Sequence, residues 1–227
     1  NCIRIHHFDR SLVKGYSENG FIFDERKMKK LDYLFFLLKK HGIYVSIDLF
    51  SARESLSMRD IPDLEIPNDK MVGLQRYKAL LALSGFMMED WKSFAKELLT
   101  HKNPYTGMMW KDDPALFSIC LVNEGNLYNK TEYPCLKPLF ENAFERWISR
   151  KRTAKSRRAL WNHFLMQLQT RLWEECSDFV RSLGVKAHLT DMNTHGYPAQ
   201  AFLRKNFDYI DTHIYWDHPR YPENLWQ

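Results

Sequence analysis

Short apolar runs that stop abruptly on polar residues alternate, along this chain, with longer stretches whose apolar positions recur every three or four residues. The first run, Asn1 to Asp9, reads as a short strand entering a polar loop that continues through Ser17-Glu18-Asn19-Gly20. From Asp24 to His41, Leu31, Leu34, Phe35 and Leu38 stand at helical spacing, and Gly42 supplies the C-terminal cap. Ile43 to Phe50 is a second β-rich run, so the chain opens with a strand, helix, strand unit. Two prolines and scattered charges make Arg53 to Asp69 a long loop, of the kind that tends to be functional in compact domains. Helical patterns follow over Lys70 to Ser84 and over Met88 to Leu99, the latter with Trp91, Phe94, Ala95 and Leu98 on one face. Turns at Asn103 to Gly107 and at Asp112-Asp113-Pro114 lead into a third strand, Ala115 to Val122. Beyond it the pattern predicts helices over Lys137 to Lys151 and Lys155 to Leu183, with Gly184 ending the second. A strand over Val185 to Thr190, a short helix near Ala199 to Asn206 and a fifth strand, Tyr209 to Tyr215, complete the reading.

Strands alternating with helices form βα units around a parallel sheet, joined by right-handed crossovers. No glycine-rich phosphate turn follows any of these strands, which argues against a dinucleotide-binding doubly wound sheet. Each strand ends instead in polar residues: Arg4 with His6 and His7, Asp48, Asn123 with Glu124, Asp191 with Asn193, and His213 with Tyr215. A parallel α/β barrel gathers its strand C-termini on one open face, where catalytic groups sit. The expected fold is therefore a (β/α)8 TIM barrel, incomplete at five strands, in a single domain spanning residues 1–227.

Composition leaves this picture unchanged. With 44% hydrophobic and 27% charged residues, a chain of 227 residues is ordinary for one globular domain with a substantial core. The net charge of +5 is spread along the helices, and its one dense cluster, Arg150 to Arg158, reads as a solvated face; nucleic acid is not an expected partner. No apolar run reaches the length of about 18 residues that a membrane helix requires, so no membrane partner is expected. The four cysteines show neither CxxC nor zinc spacing, and Cys120, inside the third strand, reads as a small core residue. They leave the compartment open, and nothing addresses oligomeric state. The chain begins without an initiator Met in the body of a strand, which suggests a fragment or a processed chain. The His6-His7 doublet differs from the His-x-His of barrel metallohydrolases, because adjacent residues on a strand point to opposite faces; neither a metal nor a cofactor is expected.

The most informative stretch is Ile119 to Gly125, an apolar run that stops on Asn123-Glu124. A carboxylate at the C-terminal end of a buried parallel strand has no packing reason to be there, and Glu124 is the candidate acid. Capping a helix in the following loop is its bland alternative. Arg4 and Asp48 fit either a structural ion pair between adjacent strand ends or a substrate role. Tyr105, Trp110, Tyr128 and Trp216 fit either aromatic platforms for a bound ring or loop packing.

The segments Arg4-Ile5-His6-His7, Ile47-Asp48-Leu49-Phe50, Asn103 to Gly107 before Asp113 to Leu116, Leu121-Val122-Asn123-Glu124 and Asp211 to Trp216 together resemble the cellulase-type glycoside hydrolases of the retaining (β/α)8 clan, clan A, in the manner of its family 5. The resemblance spans most of the chain. It implies that barrel strands two to six are present, with Glu124 ending the fourth and His213-Ile214-Tyr215 the sixth. It implies cleavage of β-glycosidic bonds in a poly- or oligosaccharide substrate, with Glu124 as acid/base and Asn123 on the sugar's 2-hydroxyl. Arg4, His213 and Tyr215 would orient the nucleophile or the sugar, with His6, His7, Asp48 and Trp216 as supporting or substrate contacts. The family commonly has Asp-x-His where this chain has Asp48-Leu49-Phe50, a place that His6 or His7 can fill. Retention needs one carboxyl protonated near neutrality and a second, ionised, about 5–5.5 Å away as nucleophile. Burial is expected to raise the pKa of Glu124 for the first task.

In that clan the nucleophile is a Glu after the seventh strand, whereas this chain reaches Gln227 in the loop after the sixth. The nucleophile is therefore expected beyond the C-terminus, leaving the piece alone inactive; Glu223, in a Pro-rich loop, is not assigned to the role. A non-catalytic carbohydrate-binding or remnant barrel without that carboxylate is the alternative. The resemblance is compatible with a secreted or periplasmic location. Unpaired parallel edges and an uncovered barrel interior predict that the isolated piece self-associates.

Overall fold

A computed structural model of the chain describes residues 1–17, 20–53, 61–64, 78–149, 156–194 and 200–214. Its centre is a parallel sheet in which β1 (Cys2–Ile5) pairs with β4 (Tyr44–Asp48), β4 with β5 (Leu116–Cys120), and β5 with β6 (His188–Thr190). β2 (Val13–Ser17) and β3 (Gly20–Phe23) form a separate antiparallel hairpin in the connection that follows β1. The register puts Ile5 beside Ile47, Ile47 beside Ile119, and Ile119 beside Leu189 on one face of the sheet, all buried. The opposite face carries Arg4 beside Ser46 and Ser46 beside Ser118, then Asp48 beside Cys120 and Cys120 beside Thr190. Short, continuous apolar runs thus serve an outer face covered by helices and an inner face of small or polar residues. This is a four-strand arc of a (β/α)8 barrel.

The helices follow from capping and periodicity. α1 (Asp9–Leu12) is a single turn. In α2 (Glu25–Lys40), Asp24 caps the N-terminus by accepting from Lys27 N at 3.1 Å, and Gly42, at φ +69°, takes the left-handed exit. α3 (Gly85–Thr100) starts on the Ser84 cap, three residues earlier than its periodicity predicts, and buries Trp91, Phe94, Ala95 and Leu98. Trp91 also donates its indole N–H to Leu121 O at 3.2 Å, tying the helix to the strand exit that carries Glu124. α4 (Lys137–Ile148), α5 (Arg157–Ser182) and α6 (Gln200–Arg204) match their predicted positions to within three residues at their described ends. Of the helix predicted over Lys70 to Ser84, residues 78–80 are helical, 81–83 form a turn leading to the next helix, and 70–77 lie outside the described residues. Most of the predicted loop from Arg53 to Asp69, and Arg150 to Lys155 of the basic cluster, lie outside them too.

Two expectations are corrected. The predicted loop after the first strand contains the β2–β3 hairpin, which lays Phe21 and Phe23 edge-on against Phe94 with ring centroids 5.7 and 5.6 Å apart. Beneath it the fully buried Arg53 guanidinium sits 4.5–5.2 Å from the ring centroids of Phe21, Phe50 and Phe94 and pairs with Asp90 at 3.1 Å. The predicted fifth strand is not a strand over 209–214. That segment runs beside β6, yet side chains take bonds that a ladder would use: Leu189 N donates to the Asp208 carboxylate at 2.7 Å, and Thr190 Oγ1 to Tyr209 O at 3.1 Å.

The inner face stands open at its lower layer. Tyr44 is 51% exposed and Phe117 42%, with their rings 6.2 Å apart and His188 and Tyr209 alongside. A closed barrel fills this layer with side chains from all its strands.

Candidate active site

Beyond β5 the chain passes through fully buried Leu121 and Val122 before Asn123-Glu124-Gly125. Two backbone bonds hold this exit against the end of β4: Leu49 N donates to Cys120 O and Asn123 N to Phe50 O, both at 2.9 Å. Glu124 then turns at φ +53°, in the left-handed region that a residue with a Cβ seldom occupies. Gly125 makes the turn possible, because a Cβ there would lie 2.8 Å from Val122 Cβ and Cγ1. The Glu124 N–H is held by Asn193, whose Oδ1 accepts it at 2.6 Å. The following 3-10 turn over Leu127–Asn129 is capped by Asn126, which accepts from Tyr128 N at 3.1 Å. The Glu124 carboxylate, not needed there, faces His213.

Arg4, on β1, is the hub of the strand ends. Its Nε donates to Asp48 Oδ1 at 3.0 Å and its Nη2 to Asp48 Oδ2 at 2.9 Å, while Nη2 also donates to Asn123 Oδ1 at 2.8 Å. Nη1 donates to His213 Nε2. A guanidinium only donates, so Nε2 is the accepting nitrogen and the neutral ring carries its proton on Nδ1, 3.2 Å from Glu124 Oε1. Arg4 thereby fixes the tautomer that presents a donor to Glu124. Burial works to lower the pKa of Arg4, and the hydrogen-bonded Asp48 carboxylate outweighs it, so the value is raised.

Asp48 is fully buried, and besides Arg4 it accepts from His6 Nδ1, which also stands 3.1 Å from Ser51 Oγ. His6 thus takes a place beside Asp48, as the absence of Asp-x-His suggests. The expectation that His6 and His7 point apart is overturned: their rings lie 3.7 Å apart at 33°. Both residues follow the end of β1 at Ile5, and His7, at φ +59°, has left the alternation of a strand. Burial, and then the neighbouring His6, lowers the pKa of His7. No group of three His, Cys, Asp or Glu suited to a metal occurs among the described residues.

The electrostatics around Glu124 reverse the expected sign. Burial does push its pKa up, but the His213 hydrogen bond and the charges of Lys78 and Lys130 together pull it below the ordinary value. Both lysines are buried, at 1% and 5% exposure. Desolvation, and then the charge of Lys78, lowers Lys130 to about 8, against the pull of Glu124. Asp191, just past β6, is raised to about 7 by burial even though Met192 N donates to it at 2.7 Å. Asp9, also buried, accepts from Ser51 N and Ala52 N at 2.7 and 2.8 Å and so fixes the loop that carries Ser51.

Arg4, His6, Asp48, Asn123, Glu124 and His213 therefore meet in one connected network, with His7 stacked at its edge. Tyr215 and Trp216 lie outside the described residues. Three of the aromatic candidates are packing residues. Tyr128 is buried with its hydroxyl donating to Asn162 O, Trp110 is buried with its indole N–H on Asp32, and Tyr105 packs its ring on Tyr33 and Phe36. The sequence marks Asn193 only as a polar strand end and gives no sign that Asp9, Lys78 and Lys130 belong to the site.

Polar strand ends converging on one face of a parallel sheet define this chain as part of a (β/α)8 barrel. Comparison with known proteins agrees. The chain is 24% identical over 127 residues, 56% of its length, to mannan endo-1,4-beta-mannosidase 2 of Arabidopsis thaliana, and spans 27% of that protein. Among solved structures, it superposes with a TM-score of 0.58 and 16% identity on a glycoside hydrolase family 5 mannosidase from Rhizomucor miehei in complex with mannosyl-fructose, covering 95% of this chain and 48% of that one. An endo-1,4-beta-mannanase from the same organism gives 0.52 at 14% identity, over 84% and 47% of the two chains. The endo-beta-1,4-mannanase of Thermotoga petrophila gives 0.50 at 16% identity, over 87% and 38%. No protein-family model matches the chain. The chain spans about a quarter of the curated relative and under half of each of these solved chains.

Proposed function

We propose that this chain is the acid/base portion of a retaining glycoside hydrolase that cleaves β-linked poly- or oligosaccharides, with β-mannan the first substrate class to test because the similar proteins are mannanases and mannosidases. The observation that carries the reading is the Glu124 carboxyl at a strand end, facing a His213 N–H whose tautomer Arg4 sets. Glu124 protonates the leaving oxygen while a carboxylate nucleophile bonds to the anomeric carbon. Glu124 then takes a proton from the water that releases the sugar. The nucleophile is a Glu expected after the seventh strand, and as a like charge about 5–5.5 Å from Glu124 it raises the acid's pKa. Asn123 suits the 2-hydroxyl: its Oδ1 is engaged by Arg4 and Asn193, while its Nδ2 makes a long 3.5 Å contact to Ser51 Oγ. Tyr215 and Trp216 are assigned to the nucleophile and the sugar on the resemblance alone.

The test is reducing-sugar release from β-mannan and β-glucans by the full-length protein and its Glu124→Gln variant. Release that the variant loses supports the reading. Glycan binding without turnover establishes the non-catalytic alternative, and turnover unaffected by Glu124→Gln removes Glu124 from the chemistry.

A further inference from the structure

We propose that Asn193 is a positioning residue that aims the Glu124 carboxyl and its His213 partner together, an inference that rests on the acid/base role proposed for Glu124. Asn193 lies just past β6 and is fully buried. Its Oδ1 takes the Glu124 N–H at 2.6 Å, at the point where Glu124 adopts its left-handed turn. Its own backbone oxygen takes the His213 N–H at 2.7 Å. One residue therefore sets the backbone of the acid and the backbone of the ring that faces it.

The amide is held in a single orientation. Its Nδ2 donates to Asn123 Oδ1 at 3.1 Å and to Asp211 Oδ2 at 3.2 Å, so a flip would turn oxygen toward two acceptors and nitrogen toward the Glu124 N–H. The loop around it is fixed in turn: Met192 stands at φ +50°, and Arg204 on α6 donates to Met192 O at 2.5 Å and to Thr194 O at 2.8 Å. A strained turn at Glu124 is thus tied to a second anchored turn past the next strand, through a side chain that contacts Glu124, Asn123 and Asp211 at the strand ends. Aspartate is no substitute. It would keep the acceptor for Glu124 N–H but would set a carboxylate against the Asp211 carboxylate and the Asn123 carbonyl oxygen.

If Asn193 aims the acid, its loss lowers kcat/KM, which reports the first step, only where a proton must be delivered to the leaving group. In the full-length protein, Asn193→Ala and Asn193→Asp are compared with wild type on a natural oligosaccharide and on a dinitrophenyl glycoside of the same sugar. The dinitrophenyl leaving group departs without protonation. We expect kcat/KM on the oligosaccharide to fall by roughly 10²-fold, the effect of an ångström-scale misplacement of a catalytic group, with little change on the dinitrophenyl glycoside. Equal losses on both substrates, or no loss on either, overturn the proposal. Glu124→Gln runs alongside and is expected to show the same selective loss. If it does not, the acid/base reading fails, and this inference fails with it; if it does and the Asn193 variants do not, only the inference fails. Should Asn193→Ala not fold, as judged by circular dichroism, the double variant Asn193→Asp/Asp211→Asn carries the test. It restores a donor opposite the new carboxylate and is expected to regain part of the oligosaccharide activity that Asn193→Asp alone loses. A double variant no better than Asn193→Asp counts against the proposal.

Discussion

Removing the Arg4 guanidinium while leaving Asp48 in place tests whether the strand ends are held by a buried ion pair. Arg4→Met keeps the aliphatic stem and deletes two bonds to Asp48, one to Asn123 Oδ1 and one to His213 Nε2. Asp48, with no exposed surface, then retains only its described contact with His6 and cannot recover the difference from water. Breaking a buried pair from one side costs about 3–5 kcal/mol, and the Arg4 side chain, 28% exposed, places this pair at the lower end, about 3 kcal/mol. That amounts to a fall of about 6–12 °C in Tm for a domain of about 150–250 residues and a smaller one for a longer barrel, read by differential scanning calorimetry on the full-length protein. Adding Asp48→Asn removes the stranded charge while keeping an oxygen for His6 Nδ1, so the double variant is expected to melt above Arg4→Met alone. A loss below about 1 kcal/mol, the range of a solvent-exposed pair, refutes the argument. So does a double variant that falls by the sum of its parts.

Three further perturbations follow from the charges and the turn at Glu124. Lys130→Met removes a cation that pulls the Glu124 pKa down, so the alkaline limb of the pH–kcat/KM profile should move to higher pH; an unmoved limb separates Lys130 from the acid. Because folding lowers Lys130 from its ordinary value of 10.5 to about 8, the native state binds fewer protons across that window and wild-type stability gains there as pH rises. Lys130→Met should lack that gain, and an identical Tm–pH curve above pH 8 would contradict the burial argument. Asp191 carries the opposite sign: raised from 3.8 to about 7, it contributes stability that is full below its unfolded value and lost as pH rises to about 7, so Asp191→Asn should flatten the fall in Tm between about pH 4 and pH 7. Gly125→Ala places a Cβ 2.8 Å from the Val122 side chain and should cost about 1–3 kcal/mol, with kcat reduced as the Glu124 turn is displaced; a neutral effect on both denies the turn its role.

The fold was legible because its signals are local and strong. Each of the four strands lies in a short apolar run that gives way to polar residues, and α2, α3 and α5 carry periodic faces that start on the caps Asp24, Ser84 and Ser156. Glu124 was legible for the same reason, as a carboxylate at the end of a buried run. The hairpin was missed because Val13 to Phe23 shows no clean alternation of apolar and polar residues. The fifth strand was overread: Tyr209 to Ile214 has strand composition, but whether it forms a ladder depends on the side chains of Asp208 and Thr190, which composition does not reveal. The sign of the Glu124 pKa was misread because burial is visible in a pattern and neighbours are not. Lys78 and Lys130 are 46 and 6 positions away in sequence, and only the fold brings their charges to bear on Glu124.

That sign bears on the two steps of the proposed reaction. Asp48 is committed to Arg4 and His6, Asp211 to Asn193, Asp9 to two backbone amides and Asp191 to Met192 N. Glu124 meets instead the His213 donor and two buried ammonium groups, which together hold it as a carboxylate. A carboxyl so held stays ionised near neutrality, the form that can take a proton from water. A retaining enzyme needs both from the same residue, first to protonate the leaving oxygen and then to deprotonate water. A second carboxylate can supply the alternation. While free, its negative charge raises the pKa of Glu124 and keeps the proton available; once it has bonded to the sugar its charge is gone, and the pull of His213, Lys78 and Lys130 is left unopposed. In the proposed reaction the cations around Glu124 would then keep the spent acid ionised for the second step.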